Sequence, residues 1–537
     1  MPFQRLTPHR FLPVFAVLLF IPPRAFPQTK NPADGVTQGS LKLARVYQAL
    51  EQSYTSRLDP NHAILDGAIR GMLATLDPFS AFFDRDQFEA LQQQTRGEAL
   101  GFGSILFVKP GKILVLETAQ GSPSWRAGLS PGDEITAVNG TRVARLDLNS
   151  LVALLQSAKS HQVTLEVIHP GHFVAQEYKL QPAEVNLPSV DEAFAYEKGA
   201  GYIRLTSFDS KSPQEVAEAL NHLGGNNLNG LVLDLRNNHG GVLDAAMGVA
   251  SLFLPPGKLV LTVSGRAVPE KAYLTIPAPL LYQKPLVLLV NGETASAAEV
   301  LAAALQDHDR ALIVGEPTYG KGVVESVMAL SEKTGMALLT AEYFTPSGRS
   351  IQRPIPGTAL AHPELGRASR NASEATAKPL TFHTDDGRPV TGGGGVTPDV
   401  AALPLTADPW ESFLDQRGIF TSFASEYLTT HGDVKETFDP DQKVLEDFKD
   451  YLNRQGILAP AKYWEKDQEL LRTRIRTEII NLVFGLDMGN QIQTRHDPQV
   501  QKAASLLPRV PLLLKGPPKH FALTTSHPGS PGTVGKN

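Results

Sequence analysis

The 537-residue chain contains no cysteine. This absence excludes disulfide bonds, thiolate metal sites, a cysteine nucleophile and a lipid-modified N-terminal cysteine. The chain also lacks an excess of basic residues, because 50 lysines and arginines face 55 aspartates and glutamates, for a net charge of −5. A nucleic-acid-binding protein normally carries a basic face, so this balance argues against a nucleic-acid partner. The length predicts about three or four domains.

The N-terminal region lacks a hydrophobic run of transmembrane length. Its apolar stretch, FLPVFAVLLFI (Phe11–Ile21), is shorter than the ~20 residues that a spanning helix needs. Arg5 and Arg10 precede it, as in an export signal. We therefore predict a signal peptide over residues 1–27 and export to the periplasm or cell envelope. An uncleaved anchor is the alternative, because PPRAFPQ is a poor cleavage region.

Distinct sequence patterns follow one another along the rest of the chain. Apolar residues at helical spacing predict a helical arm over residues 36–98. Short β-type runs with one amphipathic helix predict a β-rich module over residues 99–182. Strand and helix patterns alternate over residues 190–406, which predicts parallel strands and an α/β core. Helical patterns return over residues 408–510, and the polar residues 511–537 predict a disordered tail.

The first candidate for chemistry lies where a strand joins a helix. NGETASAAEVLAAAL (Asn291–Leu305) follows the apolar run PLVLLV, and Thr294 and Ser296 lie at the predicted start of the helix. A helix N-terminus offers free N–H groups and partial positive charge, which favour an oxyanion beside a nucleophile. A helix cap is the alternative, because Ser296 and Glu299 form an S-x-x-E capping box.

A serine nucleophile needs a base, and the histidines show no triad pattern. Lys321 lies between two glycines in GEPTYGKGVVE, 25 positions after Ser296. Glycines allow close backbone approach, and a lysine withdrawn from water can act as a neutral base. A lysine in a surface loop is the alternative interpretation.

A third motif, LVLDLRNNHGG (Leu231–Gly241), is a buried strand that ends in a Gly-rich turn. The N–H groups of Gly240 or Gly241 would form one half of an oxyanion hole, and that of Ala297 the other half. A plain turn at the end of a strand is the alternative.

These motifs, in this order, resemble the carboxyl-terminal processing peptidases, also called tail-specific proteases. The resemblance covers residues 40–405 and rests on DLRNNHGG, TASAAE, LQDHDRALIVGEPTYGKG, YFTPSGRSIQRP and GVTPDV. GMLATLDPFSAFF is similar to the family's N-terminal arm, and AGLSPGDEITAVNG looks like part of a PDZ domain.

The resemblance implies a multidomain α/β protein with a crotonase-like protease core and an inserted PDZ module. An N-terminal helical arm and a C-terminal helical domain complete this architecture. Ser296 would be the nucleophile and Lys321 the general base of a serine endopeptidase that needs no metal or other cofactor. Gly241, with or without Gly240, and Ala297 would supply the oxyanion N–H groups.

Three further positions bear on this assignment. The family usually has glutamine four residues after the catalytic lysine, where this chain has Glu325. An ionised Glu325 would favour the ammonium form of Lys321 and oppose its role as a base, whereas a protonated one would replace the amide. His239 stands where proline or glycine is commoner. Asp307 matches an acidic position that supports the site, and a structural ion pair is an equal alternative for it.

The PDZ module implies recognition of protein tails. PDZ domains add an extended C-terminal peptide to a sheet edge, and a Gly-rich loop captures its carboxylate. The predicted peptide contacts are Gly101, Phe102, Gly103, Ile105, Phe107 and either Leu151 or Leu154. The apolar members imply substrates with apolar tails, unless they simply fill the core of the module.

We therefore predict an exported, PDZ-containing serine endopeptidase that acts on proteins through their C-terminal tails. One alternative is a PDZ scaffold that binds tails without cleaving them; the retention of Ser296 and Lys321 argues against it. The other is a crotonase-like acyl-CoA enzyme, which the PDZ module and export signal disfavour. Residues 408–510 would form a dimerisation unit, a lid or an adaptor-docking surface, three alternatives that stay open, and an uncleaved signal would tether the protein to a membrane.

Overall fold

The computed structural model describes residues 18–20, 33–59, 62–331, 333–356, 358, 381–404, 409–432, 434–466 and 468–515. The predicted signal peptide, apart from residues 18–20, and residues 516–537 of the predicted tail lie outside these ranges. Among the helices within them, none is long and apolar enough to cross a bilayer.

The N-terminal arm is helical for most of its length but contains a strand that the sequence pattern did not predict. A short strand, β1 (Leu18–Phe20), lies within the predicted signal peptide, and the elements that follow it are α1 (Ala33–Ser53), a π-helical segment (His62–Ile69), α2 (Arg70–Ala74), β2 (Ala81–Phe83) and α3 (Arg85–Thr95). Asp84 begins α3, and its carboxylate accepts the N–H of Gln87 at 3.0 Å. Strand β2 pairs with residues 335–337 of the core, so the arm forms part of a core sheet.

The β-rich module is an antiparallel sheet with one long helix. Its elements are β3 (Glu98–Gly101), β4 (Ser104–Lys109), β5 (Lys112–Thr118), α4 (Pro123–Arg126), β6 (Glu134–Val138), β7 (Thr141–Arg142), α5 (Leu148–Ala158), β8 (Val163–Ile168), β9 (Gln176–Leu180) and β10 (Ala183–Asn186). The main sheet has the order β4-β5-β6-β8-β9. Val163, Leu165 and Val167 of β8 are buried at alternate positions, as expected for a sheet with one covered face.

The core alternates strands and helices, as the sequence pattern predicted. Its elements are β11 (Val190–Ala195), β12 (Ala200–Leu205), α6 (Ser212–His222), β13 (Gly230–Asp234), α7 (Leu243–Ser251), β14 (Leu259–Ser264), β15 (Lys271–Leu274), β16 (Leu286–Val290), α8 (Ala297–Asp307), β17 (Leu312–Gly315), β18 (Val323–Ala329), β19 (Gly335–Phe344), β20 (Thr381–His383), β21 (Pro389–Thr391) and β22 (Val400–Ala401).

Two sheets of the core enclose the helix α8. One has the order β11-β12-β13-β16-β17-β22, and all its neighbours are parallel except β11 and β12. The other has the order β1-β18-β19-β14-β15, with β2 also on β19. Every residue of α8 is buried, and its alanines belong to one hydrophobic cluster with residues of both sheets. The small side chains of this helix allow it to be covered on all sides.

The C-terminal region connects the β-rich module to the core. Its helices are α9 (Pro409–Gln416), α10 (Ile419–His431), α11 (Gln442–Arg454), α12 (Ala461–Lys466), α13 (Gln468–Phe484), α14 (Leu486–Arg495), α15 (Pro498–Leu506) and α16 (Val510–Leu513). Helices α9–α13 share a cluster with Phe107, Leu114 and Leu116 of the module. Helices α15 and α16 pack on the parallel sheet, and Leu514 is buried there, so ordered packing continues past the predicted start of the tail.

Candidate active site

Ser296 lies between β16 and α8 in a backbone conformation that residues other than glycine rarely adopt. Its φ is 58° and its ψ is −119°, a conformation that costs about 1–3 kcal/mol. The side chain is fully buried, and its Oγ has no hydrogen-bond partner among the described residues. The hydroxyl therefore does not cap the helix. An unpaired buried hydroxyl on a strained residue is typical of a functional position.

The second hydroxyl of this join, that of Thr294, has a structural role. Thr294 Oγ1 donates to the carbonyl oxygen of Leu235 at 2.9 Å and accepts the N–H of Asn291 at 3.0 Å. These bonds tie the end of β16 to the end of β13. Thr294 is therefore not a candidate nucleophile.

The Gly-rich turn after β13 lies directly against Ser296. A Cβ on Gly240 would stand 2.9 Å from the Cβ of Ser296 and 2.8 Å from the nitrogen of Ala297, and the φ of Gly240 is +92°. Only glycine fits a position with such contacts and such a φ. The N–H of Gly240 donates to Asn238 Oδ1 at 2.8 Å. This corrects the expectation that Gly240 donates to an oxyanion, because its proton is already used.

The N–H groups of Ala297 and Gly241 are the other two predicted oxyanion donors. Ala297 is the first residue of α8, and a first-turn N–H has no acceptor inside its own helix. Gly241 has a φ of +146° and forms an isolated bridge with Phe208. The hydrogen bonds of this bridge are made by the carbonyl oxygen of Gly240 and the N–H of Val242, not by the N–H of Gly241. The N–H groups of Gly241 and Ala297 are thus not used by the bridge or by the helix, and Gly240, next to Gly241, contacts the backbone of Ala297.

A buried carboxylate joins the serine to the loop that carries Lys321. Oε2 of Glu299 accepts the N–H of Ser296 at 2.9 Å and that of Lys321 at 2.8 Å. Oε1 accepts the N–H of Gly320 at 2.7 Å and the hydroxyl of Thr318. Burial raises the pKa of Glu299, and these hydrogen bonds act against that rise. Sequence analysis recognised the S-x-x-E pattern but missed that its glutamate also binds the lysine loop.

Lys321 is buried beside Glu325. Its Nζ is 2.7 Å from Oε1 of Glu325, and the two side chains are 5% and 0% exposed. Burial raises the pKa of Glu325, while the positive charge of Lys321 acts in the opposite direction. The hydroxyl of Tyr343 donates to the carbonyl oxygens of Lys321 at 2.9 Å and Ser296 at 3.4 Å. The Ser296 and Lys321 segments are thus joined through both Glu299 and Tyr343.

Two other candidate positions make contacts outside the Ser296 and Lys321 segments. Asp307 ends α8, which is about 16 Å long, so it stands a full helix length from Ser296. It pairs with the buried Arg349 at 2.8 Å, which favours the structural ion pair among the two interpretations of Asp307. His239 is partly exposed and lies 3.7 Å from Glu293, another surface residue.

Comparison with known proteins identifies the family. Residues 199–358 match a family described as "Peptidase family S41", residues 115–168 match "PDZ domain", and residues 24–87 match "Activating protease CtpB N-terminal domain". A carboxyl-terminal-processing protease of Synechocystis sp. is 37% identical over 310 residues, which cover 57% of this chain and 72% of that protein. The chain belongs to the carboxyl-terminal-processing proteases of peptidase family S41.

A second relative supports this placement. The carboxy-terminal-processing protease of Bartonella bacilliformis is 30% identical over 328 residues, covering 60% of this chain and 75% of that protein. Among solved structures, a photosystem II D1 C-terminal processing protease is 29% identical, with a TM-score of 0.36 and coverage of 68% of this chain and 87% of that one. The two family models show that the processing protease described here has a serine peptidase core and a PDZ domain.

The predicted carboxylate loop of the PDZ domain lies between β3 and β4. Gly103 has a φ of +75°, and a Cβ there would stand 2.3 Å from that of Ser122, so the loop requires glycine. Phe102 packs against the core of the domain, and its carbonyl oxygen accepts the N–H of Ser124 at 3.0 Å. Gly101 ends β3, and Ile105 on β4 is 37% exposed.

The other predicted peptide contacts differ in their accessibility. The C-terminal helices bury Phe107, so the structure contradicts its prediction as a ligand contact. Leu151 is fully buried in the core of the PDZ domain, whereas Leu154 is only partly buried. Of the two leucines, Leu154 is thus the more accessible.

Proposed function

We propose that this processing protease cleaves proteins by a Ser/Lys acyl-enzyme mechanism. Lys321 Nζ takes the proton of Ser296 as Oγ attacks the scissile carbonyl carbon, and the C–N bond then breaks as the same proton passes to the leaving amine. Water next attacks the acyl-enzyme and releases Ser296. The N–H groups of Gly241 and Ala297 stabilise the oxyanion in both steps. The observation that carries this proposal is the strained backbone of Ser296 together with its buried, unpaired hydroxyl.

We also propose that the PDZ domain selects substrates by their apolar C-terminal tails. Glycine-rich backbone at residues 101–103 and the partly exposed Ile105 on the edge strand support this assignment. The complete burial of Ser296 implies that the chain must open before a substrate reaches it. Tail binding would tether a substrate or promote this opening. The N-terminal sequence supports action in the periplasm or cell envelope, with the signal either cleaved or kept as a membrane tether.

The test is cleavage of an unfolded protein with an apolar C-terminus between about pH 6 and pH 10. We expect cleavage by the wild type, and none by Ser296→Ala or Lys321→Ala. Activity retained by Lys321→Ala would refute the Ser/Lys mechanism. A substrate with a charged, polar tail is the matched control for tail selection. Tight tail binding without cleavage by the wild type would instead support the PDZ scaffold.

A further inference from the structure

A residue of the N-terminal arm contacts the amine of Lys321. The ring centroid of Phe79 lies 4.6 Å from Lys321 Nζ, within the range of a cation–π interaction. Phe79 is 9% exposed and packs with Val323, the first residue of β18. No chemistry was predicted for this arm, so the contact brings an unexpected segment to the site.

The turn that carries Phe79 is firmly held. Oδ1 of Asp77 accepts the N–H groups of Phe79 at 2.8 Å and Ser80 at 2.7 Å. The hydroxyl of Ser80 donates to Oδ2 of Asp77 at 2.8 Å and accepts the N–H of Leu339 on β19 at 3.2 Å. Strand β2 then continues this attachment by pairing with β19, which itself pairs with β18. Phe79 and the strand β18, which begins two residues after Lys321, are therefore attached to the same sheet.

We propose that Phe79 is a positioning residue for the general base. Its ring restricts the amine of Lys321, and the negative face of the ring stabilises the ammonium that forms when the lysine accepts the serine proton. A neutral amine gains less from this face, so the contact strengthens as proton transfer proceeds. This inference rests on the proposed Ser/Lys mechanism and assigns to the arm a direct effect on it.

Phe79 is also a clean probe, because it carries no titratable group. Among the described residues, Glu299, Glu325 and Tyr343 from three core elements contact Lys321, and the charge of Asp77 in the arm acts on Glu325. Phe79→Leu leaves all of them in place. A change in the pH dependence of this variant would therefore report on the surroundings of the lysine amine.

The experiment compares Phe79→Leu with Phe82→Leu. Phe82 is a similarly buried aromatic residue three positions later, but its ring faces Arg70, whose guanidinium carbon is 5.8 Å from the ring centroid. Both variants lose packing. We expect Phe79→Leu alone to lower kcat on the high-pH plateau about three- to tenfold with little change in KM, and to move the acid limb of the pH–rate profile to lower pH.

Thermal unfolding of both variants checks that they remain folded and are similarly destabilised. Equal losses of kcat in the two variants, or wild-type kcat and pH profile in a folded Phe79→Leu, would overturn the proposal. Lys321→Ala is measured in parallel. Activity in that variant would refute the Ser/Lys mechanism itself, whereas an inactive Lys321→Ala with a normal Phe79→Leu would refute only the role of Phe79.

Discussion

The Nζ of Lys321 and a carboxylate oxygen of Glu325 are 2.7 Å apart inside the protein. An ionised Glu325 stabilises the ammonium form of the lysine and so opposes its use as a base. Glu325→Gln preserves the shape of the side chain and one hydrogen-bond acceptor but removes the charge. We expect the acid limb of its pH–rate profile to move to lower pH, so that activity on that limb, near neutral pH, rises about three- to tenfold without a rise in kcat on the high-pH plateau.

Glu325→Asp is the matched control, because it shortens the side chain but keeps the charge. It should not move the profile to lower pH. Burial raises the pKa of Glu325, which favours its neutral form. An unchanged profile in Glu325→Gln would therefore mean that Glu325 is already protonated in the working enzyme.

The contact between Gly240 and the serine segment predicts a loss of activity on a small substitution. In Gly240→Ala the new methyl group would collide with backbone atoms of Ala295 and Ala297, at 2.7 and 2.8 Å. We expect at least a 100-fold fall in kcat, about the effect of losing an oxyanion contact. Gly257→Ala is the control, because Gly257 also has a positive φ but no atom near the added group. An equal effect of both variants on kcat would contradict this prediction.

Glu299 should be required for both stability and activity. Each carboxylate oxygen of Glu299 accepts two hydrogen bonds. In Glu299→Gln an amide NH₂ replaces one of these oxygens, so the two donors that it served lose their acceptor. Leaving buried donors unpaired costs about 1–3 kcal/mol for each, so we expect a lower free energy of unfolding and a loss of cleavage. Glu293→Gln, at an exposed position nearby, should change neither. Wild-type kcat in Glu299→Gln would show that this carboxylate does not position the site.

The sequence was informative where local pattern and packing agree. Continuous apolar runs such as Leu286–Val290 predicted buried parallel strands, and the structure confirms them. The loss of the Gly240 N–H to Asn238 and the contact of Phe79 with Lys321 were not predictable in this way. The first depends on a side-chain hydrogen bond within the turn, and the second on a contact between residues that are distant in the sequence.

The contacts of the C-terminal region were also not predictable from local sequence pattern. Its helices were predictable from their apolar spacing, but their partners were not. Arg236, just after β13, donates to Asp497 and Gln499 at 2.7 Å each, which attaches the start of α15 to the strand that leads into the Gly-rich turn. Pattern alone gives a helix a buried face without saying which surface covers that face.

A buried glutamate should make the stability of the protein depend on pH. Glu192 on β11 accepts the hydroxyl of Thr494 on α14 at 2.9 Å, and its other oxygen is 3.6 Å from Arg204. Burial raises its pKa to about 7, from an ordinary value of 4.5. Between these values the folded protein holds a proton that the unfolded chain releases. The free energy of unfolding therefore falls as the pH rises through this window.

Glu192→Gln is neutral at every pH and should remove this dependence. Relative to the wild type, the variant should gain stability as the pH rises from 4.5 to 7, by up to about 3 kcal/mol. Urea unfolding at pH 5 and pH 8, followed by the fluorescence of the three tryptophans, measures the difference. Glu177→Gln, at an exposed position on β9, is the control and should follow the wild type. If the wild type and Glu192→Gln lose stability in parallel between these pH values, Glu192 is ionised in the folded protein, and its ion pair with Arg204 outweighs the cost of burial.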